Sequence, residues 1–185
     1  MLLNKPKQNL LLTLAWQSIA HGLKTGKPLS IDIANYPSDL AEQRATFVIL
    51  HYRGLPRGSF GNLRAVRPLV EDVSENAFAA AFCDRHYPSV TDMEISDLEI
   101  QIDLLSPLEN IVFSSELDLI HQLSPHVDGL ILEEKSHRAF FMPSNWETLH
   151  TPMQFLQHLK RKAGLPATYW STTIKAYRFT LESIT

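Results

Sequence analysis

Ala45-Thr46-Phe47-Val48-Ile49-Leu50-His51-Tyr52, then Arg53-Gly54, then Leu55-Pro56-Arg57-Gly58-Ser59-Phe60-Gly61, is the stretch that decides the fold. Its first part is dense in β-branched and aromatic residues and reads as a largely buried strand. Arg53-Gly54 is a turn, and residues 57 to 63 form the returning strand or loop. Just beyond, Pro68 opens a helix at the position where a missing N–H costs least. Glu71 and Asp72 in its first turn complement the helix dipole. Leu69, Val73, Ala77, Ala80 and Ala81 make its buried stripe, and the alanines allow close packing against another backbone.

Outward from this strand–turn–strand–helix unit, Leu12, Trp16, Ile19 and Leu23 recur on one face of an N-terminal helix. Pro6 suits its first turn, and Gly22 and Gly26 lie near its end. Residues 25 to 43 form a connection with room for a short strand. Leu98, Ile100, Ile102 and Leu104 alternate with Glu99, Gln101 and Asp103, the period-2 pattern of a strand with one wet face. Leu117 to Leu123 reads as a short helix. Gly129 to Glu133 and Arg138 to Met142 read as a hairpin across Glu134-Lys135-Ser136-His137. Thr151 and Pro152 mark a helix start. That helix buries Phe155, Leu156, Leu159 and Ala163, shows Lys160, Arg161 and Lys162 to solvent, and stops at Gly164. Ile174 to Leu181 is a last strand. Hairpins interleaved with helices, without a βαβ rhythm, give an α+β class with an antiparallel or mixed sheet and packed helices.

The 185 residues suit one well-buried core, or a large lobe with a small one attached. The reading is one domain over residues 1–185; no linker marks the boundary of a sub-lobe. A formal charge of -3 argues against a nucleic-acid surface. Cys83 is the single cysteine, which excludes an internal disulfide and a thiolate metal cage and fits a reducing cytoplasm. No metal site is expected, and nothing in the residues names a cofactor. The apolar run from Leu10 to Trp16 is far below the ~20 residues of a membrane span.

Gly54-Leu55-Pro56-Arg57-Gly58-Ser59-Phe60-Gly61 resembles the signature of the AMMECR-domain family, G-x-L-R-G-C-I-G. The helix segment Arg67 to Phe82, followed by Asp84-Arg85-His86-Tyr87-Pro88, resembles the same family. So do Leu98 to Pro107, Val127 to Leu132, Arg138 to Pro143 with Trp146, and Lys160 to Pro166 with Trp170. The matches keep the family's order and cover nearly the whole chain from about residue 10. The resemblance implies a compact α+β fold with a larger and a smaller lobe. It also implies the setting of protein A of the AmmeMemoRadiSam system, with Memo-like and radical-SAM proteins as partners and an unidentified small-molecule ligand. In that family the signature cysteine is suspected of reactivity. Here the position is Ser59, a far poorer nucleophile without a positioned base.

From the residues themselves, Gly58 and Gly61 bracket Ser59, so the backbone there can take positive φ and admit a ligand. Backbone N–H groups in such a loop can hold an anion, with Arg57 adding charge. The alternative is a tight bend that lets two backbones pack. Asp84 and Arg85 are further candidate ligand-binding residues; they equally read as an ion pair fixing a helix exit. Among the eight histidines, His51 and His86 are the ones to test as a base for Ser59; the alternative for each, which the residues favour, is a structural role. Cys83 reads as a small buried hydrophobe at a helix end. Two functions therefore compete: a ligand-binding or catalytic component built on Arg57 to Gly61, and a non-catalytic interaction module.

Overall fold

The computed structural model describes residues 2–185. The chain folds as two compact units, one made of the residues up to Leu105 together with Glu182–Thr185, the other of Ser106–Leu181.

The first unit contains helix α1 (Lys5–Thr25), strands β1 (Thr46–Tyr52) and β2 (Leu55–Gly61), helix α2 (Leu69–Phe82), strand β3 (Leu98–Leu105) and most of β8 (Leu181–Ile184). The strands lie in the order β2-β1-β3-β8, so the signature segment is an edge strand rather than a loop. β1 pairs antiparallel with both neighbours. Val48, Leu50, Ile100, Ile102, Leu104 and Ile184 turn one sheet face toward Leu14, Ile19, Val73, Ala77 and Ala80 of the two helices. At ~25 cal/mol per Å² of apolar area, burial of such side chains is the main term holding the layers together.

The buried stripe of α1 is Leu11, Leu14, Ala15, Ser18, Ile19 and Gly22. It is rotated from the expected one, and Leu12, Trp16 and Leu23 flank it. The cause is Gly22: a Cβ there would stand 2.5 Å from the Phe82 ring and 2.7 Å from that of Phe78, so the smallest residues rather than the largest face α2. The connection after α1 contains 3₁₀ turns at Ile33–Asn35 and Ser38–Leu40, and its pairing is a single bridge from Gln43 to Pro68.

Asp72 does more than complement a dipole. It is fully buried and accepts from Thr46 N (2.9 Å), Thr46 Oγ1 (2.7 Å), Asn76 Nδ2 (2.9 Å) and Arg67 Nε (3.0 Å). A buried carboxylate with four donors ties α2 to the first residue of β1 and sets where the hairpin begins.

The second unit holds β4 (Glu109–Ile111), α3 (Glu116–Gln122), β5 (Gly129–Glu134), β6 (His137–Phe141), α4 (Pro152–Lys162) and β7 (Lys175–Phe179). Its sheet order is β4-β7-β5-β6, with antiparallel registers throughout. The core gathers Leu130, Leu132, Ala176, Phe155, Leu156 and Trp146; Trp146 stacks on Phe155 at 3.8 Å and donates its indole N–H to Asp128 O at 2.7 Å. Lys160, expected on a solvated face, is fully buried and bonds Glu116 Oε1 at 2.5 Å and Tyr169 O at 3.0 Å. The last expected strand is two: β7 ends at Phe179, and after Thr180 the chain enters the other sheet as β8.

Candidate functional site

The β1–β2 hairpin turns on Arg53 and Gly54, both at positive φ (52° and 75°), the geometry of a two-residue turn that matches strand twist. Leu50 pairs with Gly58 but His51 pairs with Pro56, so Arg57 is the extra residue of a β-bulge. Bulges re-aim side chains, and this one sends Arg57 inward. Its Nε donates to Glu94 Oε1 at 2.6 Å and its Nη2 to Glu94 Oε2 at 3.2 Å. Nη1 donates to Pro88 O at 2.8 Å and Nη2 also to Ser89 O at 3.3 Å.

Glu94 sits in a 3₁₀ turn (Asp92–Asp97) and reaches back to Thr91 N and Thr91 Oγ1, each at 2.9 Å. The hydrogen bonds from Arg57 hold its carboxyl down at about 2; burial opposes them, and the Thr91 bonds and the Arg57 charge reinforce them. Glu94 is the partner of Arg57 that sequence reading missed. The available signal was Thr91-Asp92-Met93-Glu94, a capping-box spacing, although that pattern does not announce an arginine.

Neither Gly58 nor Gly61 has positive φ, in contrast to the expectation from the glycine pattern. Their need is space. A Cβ on Gly58 would stand 2.3 Å from Ala80 O, and one on Gly61 2.3 Å from Thr46 O. The alanine stripe of α2 and Gly58 together let strand and helix backbones close up, which was the packing alternative.

Ser59 is exposed, and its hydroxyl has no hydrogen-bond partner among the described residues. Its backbone N–H, on the free edge of the sheet, donates to Asp84 Oδ2 at 2.7 Å, while Asp84 Oδ1 accepts from His86 N at 2.7 Å. Burial pushes the Asp84 carboxyl up, but the N–H groups of His86 and Ser59, the electrostatic attraction of His86 and the Tyr87 N–H together outweigh it and hold it below the usual range. Asp84 thus reaches the signature strand. Arg85 does not: it is exposed, with no ion pair or hydrogen bond to its side chain among the described residues, so the expected Asp84–Arg85 pair does not form. His51 is half-buried opposite Pro56 and Glu99, and His86 joins the site through its backbone N–H and through the electrostatic attraction between its ring and Asp84. Cys83, expected buried, is exposed at the end of α2. On the expected wet face of β3, Glu99 is exposed but Asp103 is buried, accepting from Gln101 Nε2 at 2.8 Å and Ser183 Oγ at 2.6 Å.

The arrangement is a braced edge strand. Arg57 and Glu94 lock its bulge, Gly58 seats it on α2, and Asp84 caps its outer amide. Leu55 (70% exposed) and Phe60 (42%) face solvent. Among the described residues no group of three or more His, Cys, Asp or Glu side chains is placed to hold a metal ion, and no helix is long and apolar enough to cross a membrane.

The family model described as AMMECR1 matches residues 12–184. A protein of Thermotoga maritima is 34% identical over 167 residues, covering 89% of this chain and 90% of the relative. Protein MJ0810 of Methanocaldococcus jannaschii is 30% identical over 171 residues, covering 88% and 82%. The crystal structure of uncharacterized protein PH0010 from Pyrococcus horikoshii superimposes with a TM-score of 0.82 at 29% identity, covering 94% of this chain and 88% of that one.

Proposed function

We infer that this chain, which belongs to the AMMECR1 family, is a non-catalytic interaction module whose strand β2 is a recognition edge. The partners are those the resemblance implies, a Memo-like protein and a radical-SAM protein. One observation carries the reading: the charged and glycine residues of the signature are already committed to the fold, while its apolar residues are turned outward. Arg57 is engaged by Glu94 and two carbonyls, and Asp84 by backbone N–H groups. Leu55 and Phe60 are left at the surface. Exposed apolar residues beside a rigid backbone edge suit docking better than group transfer.

The uncommitted Ser59 hydroxyl favours a second reading, in which a small ligand takes a hydrogen bond at the strand's outer face. It does not favour a nucleophile, because the neighbouring carboxylate, Asp84, binds the Ser59 amide.

The test is co-purification of the chain with a Memo-like and a radical-SAM protein, using wild type and Leu55→Asp/Phe60→Asp. The interaction reading expects retention by wild type and loss in the double variant at unchanged circular dichroism. Equal retention overturns it. So does labelling of wild type, but not Ser59→Ala, by a fluorophosphonate probe, which would identify an activated serine.

A further inference from the structure

In the second unit, β4 and β7 border an open cleft of about 470 Å³. It falls within the range of small-molecule sites, and none of its lining residues belongs to strand β2. Its lining includes Asn110, Val112, Phe113, Thr172, Lys175 and Tyr177, so it carries one cationic side chain and no carboxylate. The side chains of Asn110, Thr172, Lys175 and Tyr177 make no hydrogen bond or ion pair among the described residues. An ammonium, a phenol, a hydroxyl and a carboxamide therefore line one cleft with their bonding capacity free.

Lys175 makes no ion pair among the described residues. The residue opposite it on β5 is Glu133, its natural counter-ion. That carboxylate is already held by Arg138, Nε to Oε1 at 2.7 Å. The cleft walls are also fixed in advance. Asn110 is set opposite Tyr177 by the β4–β7 register. Phe113 packs on Trp170 with ring centroids 5.6 Å apart. Glu134, 1% exposed, anchors the segment beside Thr172: its carboxylate accepts from Thr173 Oγ1 at 2.8 and 2.9 Å and from Tyr169 Oη at 3.1 Å.

We propose that this cleft binds a small organic anion, a carboxylate or phosphate monoester carried on an apolar body. Lys175 and the Tyr177 and Thr172 hydroxyls take the anionic group, and Val112 and Phe113 take the apolar part. A charged donor to an anion is the stronger kind of hydrogen bond, so Lys175 dominates affinity.

Titrating the full ¹⁵N-labelled chain with phenyl phosphate, and separately with inorganic phosphate, tests the assignment by amide shift changes. Phenyl phosphate should give saturable shifts confined to residues 110–113 and 172–177, and inorganic phosphate should bind more weakly. Lys175→Gln, an exposed substitution whose unchanged spectrum elsewhere reports an intact fold, should weaken phenyl phosphate by about tenfold. Lys175→Arg should retain most of the affinity. Absence of saturable shifts, equal affinity for inorganic phosphate, or unchanged affinity in Lys175→Gln each overturns the proposal.

Discussion

Arg57 and Glu94 meet as a two-bond pair, Nε to Oε1 at 2.6 Å and Nη2 to Oε2 at 3.2 Å, with side chains 11% and 18% exposed. The pair joins the signature bulge to the turn that precedes β3, so Arg57 acts first as a brace. Removing it strands a shielded carboxylate and frees two carbonyls. Arg57→Ala is expected to destabilise the first unit by about 2–3 kcal/mol. Arg57→Lys keeps the charge without the planar fork and should lose about half of that. Urea denaturation with an unchanged slope reads both numbers; a neutral Arg57→Ala would remove the brace.

The same pair dictates an acid response. Glu94 is lowered from 4.5 to about 2 in the folded protein. A depressed carboxylate contributes stability that is complete above its unfolded value and is lost as pH falls through its folded one. The advantage of wild type over Glu94→Gln should therefore be constant above about pH 5 and shrink between about pH 4.5 and pH 2. Isothermal denaturation at pH 6, 4 and 3 follows it, and a gap that widens on acidification would contradict the assignment.

Two glycines of the hairpin separate space from conformation. Gly58→Ala drives a methyl to 2.3 Å from a helix carbonyl, which only backbone movement can relieve. Gly54→Ala meets nothing within 4 Å but must hold φ +75°. The first should cost about 2–3 kcal/mol and the second about 1 kcal/mol. Thermal melts of the two variants give the order; the reverse order would mean that the turn, not the helix contact, defines the strand.

Lys160 supplies a test in the second unit. Its ammonium is fully buried against Glu116 Oε1 and Tyr169 O. Cutting the side chain back leaves a cavity and an unpaired Glu116, so Lys160→Ala should cost about 3–5 kcal/mol. Lys160→Met/Glu116→Leu removes both charges at similar volume and should stay within about 1 kcal/mol of wild type. Denaturation of both variants decides, and equal losses would show that packing alone accounts for the site.

Periodicity carried the fold well where one face was buried and the run was long. β1, α2, β3 and the Thr151–Pro152 helix start are all visible as patterns in the chain. What escaped was set by contacts between distant residues. β4 has three residues, too few for a period, and forms because β7 lies beside it. Lys160 looks like its neighbours Arg161 and Lys162, and its partners Glu116, far back in the chain, and Tyr169 O set it apart from them. The signature was legible as a location but not as a mechanism. Gly58 answers to Ala80 and Arg57 to Glu94, and neither partner lies within the motif.

Asp84 tests how the free edge of β2 is kept. A free edge strand offers unpaired amides to any other strand, and here the outward N–H of Ser59 is covered by a carboxylate from the end of α2. Asp84→Ala uncovers that amide and also releases the one at His86. Loss of a hydrogen bond to a charged acceptor should speed hydrogen exchange at Ser59 N–H by about tenfold or more. The amides of β1, which has a strand on either side, should be unaffected. Asp84→Asn, which keeps an acceptor oxygen but not the charge, should fall between the two. Exchange followed by NMR at neutral pH measures all three, and an unchanged Ser59 rate in Asp84→Ala would mean that the edge is protected by something other than this cap.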